Sequence, residues 1–188
     1  MRMSGMVFGI GLSKTGTNSL NEALCTLGYR SLHYPDCVLM LAGRYDDALC
    51  GHDAATDISV AAFFRELDAA YPGSKFILTV RSLGAWLRSV GEHMARRPPE
   101  SMHPGEPRGE VRLRLYGTRG WDADLFVEAY RRHTAAVRAH FAGRQGDLLV
   151  LDVCNGEGWE KLCPFLGRPI PAAAFPALNR TSERLKTA

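Results

Sequence analysis

A chain of 188 residues with 46% hydrophobic content is long enough for one domain with a real core. Its net charge of +3 and pI near 8.7 suit a pocket for a polyanionic ligand. They fall short of a nucleic-acid footprint, because no basic stripe is interleaved with aromatics. No apolar run approaches a membrane span, and the short N-terminal one is better used as a first strand than as a secretory signal. Five cysteines without a C-x-x-C spacing favour reduced thiols, so a cytoplasmic location is expected.

In chain order, Val7–Leu12 has strand character and runs into a tight turn of small residues, Ser13 to Thr17. A helix over Thr17–Leu27 follows, with Leu20, Ala23, Leu24 and Leu27 on one face. A strand–turn–helix start of this kind aims backbone N–H groups and the positive end of a helix at one point, a seat for phosphate. Lys14 adds a full charge inside the turn, and Thr15, Thr17 and Ser19 add hydroxyls. The Walker pattern is absent, because Thr17 stands where its lysine should follow Gly16. The dinucleotide pattern fails too, since Lys14 occupies the position of its third glycine.

Further strands are expected at Tyr29–Leu32, Ala55–Ile58, Lys75–Val80 and Leu148–Val153. Helices are expected at Val60–Ala70, Leu83–Ala95, Ala123–Ala142 and Gly158–Leu166. The alternation predicts a single α/β domain over residues 1–188, with a parallel sheet flanked by helices on both faces. The strand Lys75–Val80 ends in Arg81, where a nucleotide-dependent phosphotransferase would carry an aspartate for Mg²⁺. A guanidinium there suits a second phosphate, and Ser89 lies eight residues further along the next helix. Residues 96–120 are rich in proline and charge with no period, and are expected to be a mobile loop over the substrate, with plain disorder as the alternative. Trp86 and Trp159 read as core, while His133 and His140 are expected on a solvated helix face. No histidine pair has metal-site spacing.

Ser13-Lys-Thr-Gly-Thr-Asn-Ser19 together with Phe76-Ile-Leu-Thr-Val-Arg-Ser-Leu-Gly-Ala-Trp-Leu-Arg-Ser-Val90 resembles the two cofactor motifs of sulfotransferases that use 3′-phosphoadenosine 5′-phosphosulfate (PAPS). The stretches Ala55–Leu67, Tyr71–Lys75, Gly156–Gly167 and Phe175–Asn179 are similar to the branch that acts on small molecules, which has a P-loop-containing nucleotide-binding fold. The resemblance places the 5′-phosphosulfate on Ser13, Lys14, Thr15, Gly16, Thr17, Asn18 and Ser19, and the 3′-phosphate on Arg81 and Ser89. It places a general base on Asp57, implies a histidine near substrate at His33, and suggests a late 3′-phosphate contact at Arg180. The chain departs from the family in carrying Arg81-Ser82-Leu83 for the usual Arg-Asp-Pro, and Ser59 for a proline after the base.

The implied reaction moves a sulfuryl group from PAPS to a hydroxyl of a small-molecule acceptor, releasing PAP, with no metal required. Sulfuryl transfer resembles phosphoryl transfer, in which positioning and charge stabilisation do most of the catalysis. Lys14 would stabilise the transferring group and Asp57 would take the acceptor proton, with His33 as the alternative base and Asp36 as a third candidate. Asp57 and Asp36 each also read as helix N-caps, with Ser59 better placed than Asp57 for its helix. A phosphotransferase with an atypical P-loop and a non-catalytic nucleotide-binding scaffold are the alternatives. A nucleic-acid or membrane partner is not expected, and a homodimer is left open.

Overall fold

Five short strands lie side by side: Val7–Gly9 (β1), Ser31–His33 (β2), Ala54–Thr56 (β3), Lys75–Thr79 (β4) and Leu148–Leu151 (β5). Their order is β2-β3-β1-β4-β5 and every pair is parallel. The computed structural model describes residues 5–96 and 103–177, so Arg180 lies outside the described residues. The helices are Thr17–Thr26 (α1), Cys37–Leu41 (α2), Tyr45–Ala48 (α3), Ile58–Ala61 (α4), Phe64–Ala70 (α5), Leu83–Ala95 (α6), Pro107–Tyr116 (α7), Ala123–His140 (α8) and Trp159–Leu166 (α9).

Strands covered on both faces read as continuous apolar runs, and β4 is buried from Phe76 to Thr79. Successive side chains point to opposite faces. Val7, Ala54 and Ile77 meet Leu20 and Leu24 of α1 and Leu162 of α9 on one side. Phe8, Ala55, Phe76 and Leu78 pack on the other side, in a larger core with the apolar faces of α2 and α4 to α8. The expected parallel sheet with helices on both faces is therefore observed. Because all strands are parallel, their C-terminal ends share one edge. The chain after β3 crosses β1 to reach β4, which opens a crevice at that edge.

Four expectations are corrected. The Val60–Ala70 helix is two pieces, α4 and α5, and Ser59 lies inside α4 rather than capping it. Its buried hydroxyl has no hydrogen-bond partner among the described residues. Residues 107–116 are helix rather than loop. Pro107 occupies the first turn, Glu106 accepts from the Gly109 N–H at 2.7 Å, and Gly117 closes the helix with a φ of +79°. The apolar stripe of α7 is broken by Arg112, which is buried, so its period is weak although Val111 and Leu115 reach the core.

His133 is buried, not solvated. It shares the inward stripe of Phe126, Ala129 and Val137, and its Nε2 donates to the Ile10 carbonyl at 2.8 Å. Burial pushes its pKa down to about 4. His140 is partly covered, meeting Asp68 at 2.7 Å and the edge of Phe64. Arg144 first and His140 second hold the Asp68 carboxyl below its usual range. Asp36 is a cap: its Oδ1 accepts from the N–H groups of Val38 and Leu39.

Candidate active site

The turn after β1 is built around two close approaches. A Cβ on Gly11 would lie 1.8 Å from Thr79 Oγ1, so only glycine fits where β1 leaves the sheet beside β4. Gly16 has a φ of +99° and is the N-cap of α1; no side chain caps that helix. The first turn, Thr17 to Ser19, lies at the positive end of a ten-residue helix. Thr15 does not share in this. It is fully buried, its hydroxyl donates to the Leu12 carbonyl at 2.6 Å and meets Thr79 Oγ1 at 2.6 Å, and its N–H bonds Leu12. Its side chain thus ties the turn to the sheet.

Aromatic side chains from three helices brace the turn from behind. Trp86 donates from Nε1 to the Ser13 carbonyl at 2.8 Å, and the Ser13 N–H donates to the Tyr116 hydroxyl at 3.3 Å. Tyr116 stacks on Phe126 with centroids 4.2 Å apart, and Trp86 packs on Phe126 and Tyr130. Tyr130 grips the backbone of Arg81 from both sides, accepting from its N–H at 3.3 Å and donating to its carbonyl at 2.5 Å. Burial raises the Tyr116 phenol well above its usual range, and the nearby Asp57 charge raises it further. It remains a neutral phenol.

Arg81 follows β4 and reaches across to the turn, where its Nη1 donates to the Lys14 carbonyl at 3.4 Å. Both residues line one cavity of about 690 Å³, a size suited to a nucleotide-scale ligand. Every strand contributes to it at its C-terminal end. Ser13, Lys14, Gly16, Thr17, Asn18 and Ser19 come after β1, and His33 and Tyr34 come at the end of β2. Asp57 follows β3, Arg81 and Ser89 follow β4, and Val153 and Cys154 follow β5.

The backbone is strained in three places, all on this cavity. Among the described residues, the non-glycine residues with positive φ are Lys14 (+70°), Tyr34 (+63°) and Asp57 (+91°), and all three line it. Asp57, with ψ −176°, occupies a region that is essentially glycine's own, at a cost of about 1–3 kcal/mol. Strain of that kind persists only where surrounding contacts over-determine it. The Asp57 carbonyl accepts from Val60 and Ala61, so α4 starts on its main chain, while its side chain makes no cap. The carboxylate is instead turned into the cavity, Oδ2 3.3 Å from His33 Nε2 and Oδ1 3.5 Å from Ser13 Oγ. The other ring nitrogen of His33 meets the buried Thr56 hydroxyl at 2.8 Å.

Against families of known proteins, residues 6–184 match the model described as "Sulfotransferase domain". The chain belongs to the sulfotransferase domain family. It is 26% identical over 217 residues to "Ava biosynthesis cluster protein M" of Aspergillus versicolor, covering 95% of this chain and 82% of that protein. Its fold matches the crystal structure of a sulfotransferase from Alicyclobacillus acidocaldarius with a TM-score of 0.62 at 16% identity, over 97% of this chain and 90% of that one.

In this sulfotransferase chain, the residues singled out in the sequence converge on one cavity except for Thr15, whose side chain is buried, Asp36, which caps α2 beside a second cavity, and Arg180, which lies outside the described residues. Tyr116 and Tyr130, which hold the turn and Arg81, carry no local signal of that role in the sequence, and Trp86 is bonded to the turn as well as being core. Tyr34, His93 and Arg108 also line the cavity. His93 carried a local signal, standing one helical turn after Ser89. Among the described residues there is no cluster suited to a metal ion, and no helix is long and apolar enough to cross a membrane. All five cysteines are free thiols.

Proposed function

We propose that this protein is a PAPS-dependent sulfotransferase that modifies a hydroxyl of a small-molecule acceptor. The observation that carries the reading is the meeting of Lys14 and Arg81 in one cavity, each delivered by a different strand and joined by the Arg81–Lys14 hydrogen bond. The donor set is chemically matched to a ligand with two anionic ends: a lysine, an arginine, the amides at the start of α1 and the hydroxyls of Ser13, Thr17, Ser19 and Ser89. When bound, PAPS supplies a sulfuryl group on a phosphate leaving group, open to in-line displacement by an acceptor oxygen. That the relative from Aspergillus versicolor is named as a biosynthesis cluster protein supports a small-molecule acceptor.

Each residue then has a task. Lys14 and the first-turn amides of α1 hold the 5′ end and offset the charge that grows on it. Arg81 and Ser89 hold the 3′-phosphate. Asp57 takes the acceptor proton, because its carboxylate faces the cavity in a conformation that serves no cap. His33 has both ring nitrogens engaged, one by Thr56 and one by Asp57, so it orients the base rather than serving as one. The test is calorimetric titration with PAP alongside a turnover assay with PAPS and phenols. Wild type is expected to bind PAP and turn over. Lys14→Ala is expected to lose both, and Asp57→Asn to bind PAP without turning over. PAP binding with no turnover on any acceptor, and no effect of Asp57→Asn, is the result a non-catalytic scaffold would give.

A further inference from the structure

We propose that Tyr34 and Arg108 form the acceptor-recognition element of the cavity, and that the acceptor carries an anionic group, a carboxylate or its chemical equivalent, which Arg108 receives. The proposal rests on the sulfuryl-transfer reading above. Tyr34 follows His33 directly, His33 pairs with Asp57, and Tyr34 lines the same cavity without being one of the residues assigned to the nucleotide. Its φ of +63° is costly for an aromatic residue, and no turn glycine replaces it there. Arg108 comes from α7, an element that supplies none of the residues assigned to the nucleotide. Its guanidinium lies 5.6 Å from the centre of the Tyr34 ring.

Tyr34 and Arg108 also line a second cavity of about 400 Å³, so the two spaces meet at this pair. Asp36 and Glu106 border the second cavity, and both are engaged as helix caps, by the N–H groups of Val38 and Leu39 and of Gly109. Arg108 forms no ion pair among the described residues, and it is exposed to both spaces. A fork of N–H donors near an aromatic ring is suited to a planar carboxylate, which it can hold by two parallel hydrogen bonds.

The test is calorimetry on the full chain saturated with PAP, using 4-hydroxyphenylacetate and its neutral isostere 4-hydroxyphenylacetamide as probes. The acid is expected to bind at least about tenfold more tightly than the amide, the size of one charge-assisted contact. Arg108→Gln is expected to erase that preference while PAP affinity stays unchanged, and Arg108→Lys to restore part of it. Equal affinities in wild type, no measurable binding of the acid, or a loss of PAP affinity in Arg108→Gln overturns the proposal. Failure of wild type to bind PAP overturns the donor reading instead, so the two failures are told apart.

Discussion

The two walls of the cavity are built in different ways. The wall assigned to the donor is made of short sequence-local units, Ser13 to Ser19 and Arg81 to Ser89, the first held through Ser13 by buried Trp86 and Tyr116 and the second through Arg81 by half-buried Tyr130. The wall assigned to the acceptor gathers Tyr34 and Arg108 from distant parts of the chain; Arg108 is exposed and Tyr34 half-buried. A donor common to a whole family can be gripped by a rigid, recurring unit. An acceptor that differs between members is better read by side chains on elements outside the sheet, which can change without disturbing it.

The largest expected effect separates the walls by function. Asp57→Asn should lower turnover by about 10²–10⁴-fold, the range of a lost general base, while PAP affinity stays near normal. A parallel loss of PAP binding would mean that the carboxylate belongs to the donor wall.

Next comes the support behind β1. His133 is held neutral by burial, with a pKa of about 4 against an ordinary 6.5. The unfolded chain therefore takes up its proton first as pH falls, so stability is full above about pH 6.5 and declines towards pH 4. At about 1.4 kcal/mol per unit this amounts to about 3 kcal/mol. Urea unfolding across that window should show a steeper decline in wild type than in His133→Gln, which keeps a donor for the Ile10 carbonyl. Equal slopes would remove His133 from the account.

Smaller effects probe the link between the walls. Tyr116→Phe deprives the Ser13 N–H of its partner, at roughly 1 kcal/mol, and should lower both melting temperature and PAP affinity a few-fold although Tyr116 belongs to α7. Asp57→Gly should lower turnover as Asp57→Asn does, yet raise unfolding stability by up to ~1 kcal/mol, because relief of backbone strain exceeds the glycine entropy cost. A lower melting temperature in that variant would show that the side-chain contacts to His33 and Ser13 outweigh the strain.

Those same walls differ in how plainly they could be read from sequence. The turn at Ser13–Ser19 and the strand ending in Arg81 are local, so residue pattern and family resemblance together make them legible. The direction of the Thr15 side chain is not legible there, because a hydroxyl in a phosphate-like turn looks the same whether it points outward or back to Leu12 and Thr79. Helix α7 had its signals, Glu106-Pro107 at the start and Gly117 at the end, but buried Arg112 broke the apolar stripe that would have confirmed them. His133 stood on the inward stripe with Phe126, Ala129 and Val137, yet its polarity and its neighbours Arg131 and Arg132 argued for solvent. The meeting of Tyr34 with Arg108 had no local signal, since it depends on where α7 packs.

The central claim is that one nucleotide is held at both ends by Lys14 and Arg81, and comparing PAP with 5′-AMP on wild type and Arg81→Ala tests it most directly. Wild type should prefer PAP by about tenfold or more, the yield of a charge-assisted phosphate contact, and Arg81→Ala should bind the two nucleotides alike while 5′-AMP affinity holds. If wild type does not distinguish them, or if Arg81→Ala weakens both equally, Arg81 is not a 3′-phosphate ligand and the donor assignment is wrong.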